Sequence, residues 1–249
     1  MSQLNCKLSK TMRTISKISI AVFLLVLPFV VMAHQPKMVE DKNTIQVENP
    51  ENSQAFYSIL DSGPQIYEIK SDTPFVLYIN FLAPKIKNAT TTKDFSAFIY
   101  QRGEYGPNLL DTLIGPKFQW TEFHEPFAND DYFKGPEFKQ EVNAGKYFIK
   151  IVSPCHSDFG PTSQDCGPEK YILVVGEKEK FSFGDIIETL RVLPQEKKFF
   201  NKSVFNVLAG LLGLYFLLAV VIIIVIGTGI WLAIRFFRNR RRQIPPANF

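Results

Sequence analysis

IYEIKSDTPFVLYINFLAP, residues 66–84, decides the fold class of this chain. Two runs rich in Ile, Tyr, Phe and Val flank SDTP, whose Ser, Asp and Pro mark a turn. The second run, 75–82, is apolar on both faces, as a central strand of a two-layer fold would be. The pattern continues on either side, with candidate strands at 54–60, 65–70, 75–82, 95–101, 109–113, 118–123, 132–133, 146–153 and 170–176. The separators DSGP, APKIKN, GEYGPN, NAG and CGP supply Gly, Pro, Asn or Asp. In 146–153, Tyr147, Ile149 and Ile151 fall on one face. Nine short runs without a helix-length periodic segment among them predict a mainly β fold, an antiparallel β-sandwich or jelly roll.

The chain ends carry membrane signals. Lys7, Lys10, Arg13 and Lys17 precede ISIAVFLLVLPFVVMA, a 16-residue apolar run at 18–33. As a helix it would reach about 24 Å, short of a ~30 Å hydrocarbon core, and Pro28 would break it. Val31 and Ala33 suit a signal-peptidase site, so residues 1–33 read as a signal peptide cleaved after Ala33. Residues 207–234 form a 28-residue stretch without charge. That length predicts a transmembrane helix, tilted or running into the interface. Arg235, Arg238, Arg240, Arg241 and Arg242 follow at once and predict a cytoplasmic C-terminal tail. The expected layout is a signal peptide (1–33), an extracytoplasmic sandwich (34–180), an amphipathic helix and linker (181–205), a membrane helix (206–234) and a basic tail (235–249). The expected location is a cell membrane, single-pass, with the ectodomain outside.

Net charge is read against that layout. The chain has 28 basic and 24 acidic residues, and nine of the basic ones are the flanking residues just named. The remainder holds 19 basic and 24 acidic, a net of −5, so the basic balance reflects membrane targeting and predicts no nucleic-acid partner. Cys155 and Cys166, in an oxidising compartment, predict a disulfide closing a short loop worth about 2–3 kcal/mol. One short helix is expected after the sheet. Ser182 caps it with Asp185 as capping-box partner, Ile186, Ile187, Leu190 and Leu193 form its apolar face, and Pro194 stops it. Phe199 and Phe200 are then expected to dip toward the membrane interface. Ala209 and Gly213 form a small-xxx-small pair suited to helix association.

AGKYFIKIVSP (144–154) and EKYILVVGE (169–177) resemble the closing strands of bacterial pre-peptidase C-terminal-type domains, which pair an "aG-x-Y-x-(I/L)-x-V" strand with a "Y-x-L-x-V" strand. Through AHQP, QAFYSIL, IYEIKSDTPFVLYINFLAP, DDYFKGPEF and YILVVGEKEKF the chain is also similar to an uncharacterised bacterial family of signal peptide, sandwich and C-terminal anchor. The first resemblance implies a non-catalytic accessory module; the second implies no activity. RFFRNRRRQ (235–243) looks like the coat-binding tail of eukaryotic cargo receptors with a Golgi-dynamics domain, with Phe236 and Phe237 as sorting signals. Those receptors place a long heptad segment before the membrane and space their cysteines farther apart, and this chain departs from both.

Candidate sites follow from residue chemistry. A mature N-terminal His34 would offer an amine and an imidazole to Cu(II), with His124 or His156 completing a brace. Glu122, Glu125, Asp130, Asp131 and Glu137 offer oxygen ligands for Ca²⁺, without EF-hand spacing. Tyr100, Tyr105, Trp120 and Tyr132 are candidates for an exposed stacking platform. No G-x-S-x-G, H-E-x-x-H, phosphate-loop or dinucleotide motif occurs, so no catalytic residue is assigned. The expected function is a binding or accessory module for an extracytoplasmic protein or glycan.

Overall fold

The computed structural model describes residues 34–40, 44–61, 63–87, 93–126, 128–154, 168–180 and 182–241. They form two compact units that part between Asn206 and Val207. Cys155, Cys166 and His156, and with them the expected disulfide, lie outside the described residues.

The first unit is a β-sandwich, as expected. Its described strands are β1 (Gln35–Met38), β2 (Thr44–Val47), β3 (Gln54–Leu60), β4 (Gln65–Ser71), β5 (Phe75–Pro84), β6 (Ser96–Arg102), β7 (Pro107–Ile114), β8 (Thr121–Glu125), β9 (Asp130–Val142), β10 (Gly145–Val152) and β11 (Glu169–Val175). One sheet runs β1-β3-β11-β5-β9-β8 and the other β2-β4-β10-β6-β7. Pairing is antiparallel except β1 on β3 and β2 on β4, which are parallel. The nine expected runs fall on β3 to β11. The run expected at 118–123 is displaced, because Gly115–Lys117 forms a 3-10 turn first.

Two further findings concern the strands. The residues that follow His34 are held to the sheet, because β1 docks on β3 through Gln35↔Gln54 to Met38↔Tyr57. Pro36 is tolerated there because β1 is an edge strand. The segment 121–137 lies in the β8–β9 strand pair, and β9 is 13 residues long. Its Gly135 and Pro136 sit where a bulge separates Asn80 from Leu82 on β5, and Asn80 donates to their carbonyls at 3.2 and 3.3 Å.

Alternation places the core. Leu77, Ile79 and Phe81 of β5, Tyr147, Ile149 and Ile151 of β10, and Tyr171 and Leu173 of β11 meet between the sheets, fully buried. Two core tyrosines satisfy each other, Tyr67 and Tyr171 joining hydroxyls at 3.0 Å. The other face of β5 and β11 is apolar at Leu82, Ile172 and Val174, and the end of helix α1 (Phe183–Phe199), with Phe199 and Phe200, packs there.

The capping box at Ser182 forms as expected: Ser182 Oγ accepts from the Asp185 N–H and the Asp185 carboxylate from the Ser182 N–H. Ser182→Ala should cost about 1 kcal/mol. Urea unfolding of the detergent-solubilised protein checks this, and an unchanged midpoint would show that the first turn does not contribute. Pro194 does not stop α1. It lies on the exposed side, and burial of Leu193, Glu196, Lys197, Phe199 and Phe200 carries the helix past it. The expected apolar face is corrected accordingly, with Ile187 and Leu190 exposed. Phe199 and Phe200 pack edge-to-face on Tyr57 at 5.4 and 6.4 Å, on the sheet rather than toward a bilayer.

The second unit contains helix α2 (Leu211–Arg241), and its segment Leu212–Phe236 is long and apolar enough to cross a membrane. At 25 residues it would span about 37 Å. Ala209 ends a 3-10 segment (Val204–Ala209), so it does not share a helix face with Gly213. Gly213 instead accommodates the Leu208 carbonyl, which a Cβ would meet at 2.2 Å.

Candidate functional site

The outer face of the five-stranded sheet holds a groove of about 450 Å³. Register explains its lining. Phe148 of β10 sits opposite Tyr100 of β6, and Lys150 sits between Ile66 of β4 and Phe98 of β6. The alternation that buries Tyr147, Ile149 and Ile151 turns Phe148 and Lys150 outward. Ile66, Tyr100 and Phe148 are half-buried along the floor, and Phe98 stacks on Tyr100 at 6.4 Å and 20°. The β6–β7 hairpin forms the rim, with Arg102 and Glu104 at its mouth. Gly106, at φ +141°, lets the hairpin turn tightly, and Gly103 donates to its carbonyl at 2.9 Å. Tyr105 stands at the tip, 97% exposed.

The expected stacking platform therefore divides. Tyr100 and Tyr105 belong to the groove and its rim. Trp120 packs against Phe95 at 5.9 Å and donates to the Gly115 carbonyl at 2.9 Å. Tyr132 is buried under α1, edge-to-face with Phe200 at 5.1 Å. Ile66, Phe98, Arg102, Phe148 and Lys150 come from three separate strands, and only the register unites them.

The candidate metal ligands are not brought together. Exposed His34 points Nδ1 at Ser53 Oγ beside β1. His124 pairs with Asp131 at 2.8 Å on β8. β1 and β8 are opposite edges of one sheet. Five strand spacings, about 24 Å, separate them, so His34 and His124 do not form a brace. The five carboxylates do not converge either. Glu122 pairs with Lys85 at 2.7 Å, Glu125 accepts from the Ala128 N–H at 2.8 Å, and Glu137 takes Lys134 at 3.1 Å and Tyr78 at 3.2 Å. Among the described residues no group of three or more His, Cys, Asp or Glu side chains could hold a metal ion. Of the basic cluster, Arg235 lies over the Trp231 ring at 5.2 Å, Arg240 and Arg241 belong to α2, and Arg242 lies outside the described residues.

Asp130 belongs instead to a buried charge cluster beneath α1. Asp130 and Lys197 are both wholly buried and bonded to each other, and Lys197 Nζ also donates to the Ala128 carbonyl at 2.5 Å. Lys202 reaches the other Asp130 oxygen at 3.0 Å and the Asn129 carbonyl at 2.8 Å. Glu196 lies beside them, taking the Tyr57 hydroxyl at 3.4 Å, and Tyr57 and Tyr132 share hydroxyls at 3.0 Å. Burial, reinforced by the nearby Asp130 and Glu125 carboxylates, pushes the Glu196 carboxyl up to about 8 against the opposing pull of Lys197. Burial and the Glu196 charge likewise hold the Tyr57 and Tyr132 hydroxyls well above their ordinary range. The sequence reading missed this cluster, since Lys197 and Lys202 look like membrane-flanking lysines.

No family model matches the chain, and no curated protein matches it. Solved structures similar to it include the pre-peptidase C-terminal domain of a Bacillus anthracis collagenase, at 14% identity and TM-score 0.29, covering 54% of this chain and 94% of that one. The Yersinia pseudotuberculosis-derived mitogen is 14% identical with TM-score 0.32, over 54% of this chain and 93% of the mitogen. CorA, a surface-associated copper-binding protein of Methylomicrobium album BG8, is 7% identical with TM-score 0.28, over 57% of this chain and all of CorA. The pre-peptidase match is the weak resemblance read from the last two strands.

Proposed function

We propose that the chain is a single-pass membrane protein with its sandwich outside and its Arg-rich end in the cytoplasm. We further propose that the sandwich is a non-catalytic binding module whose contact face is the outer face of the five-stranded sheet. One observation carries this reading: half-buried rings line a groove on a sheet face that, among the described residues, no helix covers. Part of the equivalent face of the other sheet, at Ala55, Tyr57, Tyr132, Ile172 and Val174, lies against the end of α1. The groove has the volume of an ordinary ligand site, and its apolar floor with a few polar groups at the mouth is the usual composition of one. Ring stacking at Tyr100 and Phe148 is worth about 1 kcal/mol or more at each position.

Full-length protein in lipid nanodiscs, applied to arrays of immobilised glycans and extracytoplasmic proteins, tests the face. Tyr100→Ala/Phe148→Ala is expected to weaken retention at least tenfold with an unchanged unfolding midpoint. Equal retention of variant and wild type would reject it.

A further inference from the structure

The groove's charges narrow its ligand class, and this inference rests on the binding reading above. Three features of the groove bear on the occupant. First, it lies on the face of β10 and β6, both interior strands. Their backbone groups are held in the ladders on both sides, so the groove offers side chains and no strand edge. A peptide bound by main-chain pairing needs such an edge. Second, the floor presents ring faces, from Tyr100 and Phe148, in a space of about 450 Å³. That suits the flat C–H faces of one or two sugar rings. Third, Arg102 and Lys150 line the groove with Glu104, and Glu68, opposite Phe148 on the same face, pairs with Lys146 at 3.3 Å. Among the described residues the Arg102 guanidinium forms no close ion pair, and it acts on the Glu68 carboxylate at longer range. The ectodomain around it carries net negative charge, so a cationic mouth is a local departure.

We infer that the groove binds a carboxylated sugar, a uronate-bearing glycan, with the ring stacked on Tyr100 and Phe148 and the carboxylate held by Arg102. A guanidinium matches a carboxylate with two parallel N–H donors, which a neutral sugar cannot use. Glu104 at the rim accepts from ring hydroxyls. Binding forms and breaks no covalent bond.

The test uses full-length protein in nanodiscs and isothermal titration. The probes are tetramers of galacturonate, of mannuronate and of hyaluronan, with methyl-esterified tetragalacturonate and tetraglutamate as controls. At least one uronate tetramer is expected to bind, with an affinity that falls as salt rises. The ester should bind at least tenfold more weakly than its parent acid. Arg102→Gln should cost the acid a similar factor and leave the ester unchanged, while Tyr100→Ala/Phe148→Ala should weaken both. Equal binding of acid and ester, or no effect of Arg102→Gln, overturns the carboxylate assignment. Tetraglutamate binding as tightly as the sugars would make an acidic peptide the occupant and overturn it as well. Failure of every uronate also overturns it, while array retention that depends on Tyr100 and Phe148 would leave the binding face standing.

Discussion

Lys197→Ala is expected to destabilise the sandwich by about 3–5 kcal/mol. The substitution removes an ammonium that is wholly buried together with its partner Asp130. The Asp130 carboxylate would keep only Lys202, at 3.0 Å, and the Ala128 carbonyl would lose its donor. Leaving a buried charge underpaired is costly because desolvation is no longer offset by attraction. Asp130→Asn should cost at least as much, since it leaves the wholly buried Lys197 ammonium without a counter-charge and turns an amide N–H donor toward one of the two lysines. Both can be read by urea unfolding. Trp120 lies in the sandwich and Trp231 in α2, so a Trp231→Phe background isolates the sandwich signal. A loss below about 1 kcal/mol for Lys197→Ala would mean that water reaches the pair and that α1 does not seal it.

Stability should fall as pH rises, with Glu196 as the source. The Glu196 carboxyl is raised to about 8 in the folded state from an ordinary 4.5. Between those values the native chain holds a proton that the unfolded chain has released. The stabilisation is complete below about 4.5 and is lost progressively toward 8, at up to about 1.4 kcal/mol per pH unit. The groups facing Glu196 are Tyr57 on β3, Asp130 and Tyr132 on β9, Glu125 on β8 and Lys197 on its own helix. Glu196→Gln keeps a neutral donor beside Asp130 and cannot ionise. The variant should match wild type near pH 5 and exceed it near pH 9. Parallel pH profiles for the two proteins would show that Glu196 is already ionised in the fold.

The sandwich was legible because its strands combine apolar runs with turn residues at short intervals. The stretch 66–84 was read correctly for a physical reason: β5 has neighbours on both edges and cover on both faces, so nearly every residue must be apolar. Illegible elements drew their stability from elsewhere. β1 and β2 are four residues each, too short to show a clear pattern, and held by parallel ladders to β3 and β4. Backbone hydrogen bonds leave no mark on side-chain pattern. Pro194 marks a helix stop by local rules, yet tertiary burial of Phe199 and Phe200 outweighs one lost hydrogen bond on an exposed side. Tyr100 and Tyr105 were visible as aromatics, but Ile66, Phe148 and Lys150 joined them only once three strands were in register. The charge cluster was hidden most completely, because lysines before an apolar helix have a ready topological explanation.

The cluster also decides how the sandwich would carry a mechanical load. A pull on the chain beyond Asn206 would be felt early at the ion pairs that fasten this end of the unit to the sheet. It meets Lys202 and Lys197, both fastened to Asp130 at the start of β9. Force therefore enters through β9, whose long ladder with β5 runs from Pro84↔Tyr132 to Phe75↔Val142. To yield, the joint must drag buried charges out of their pairing before any strand parts.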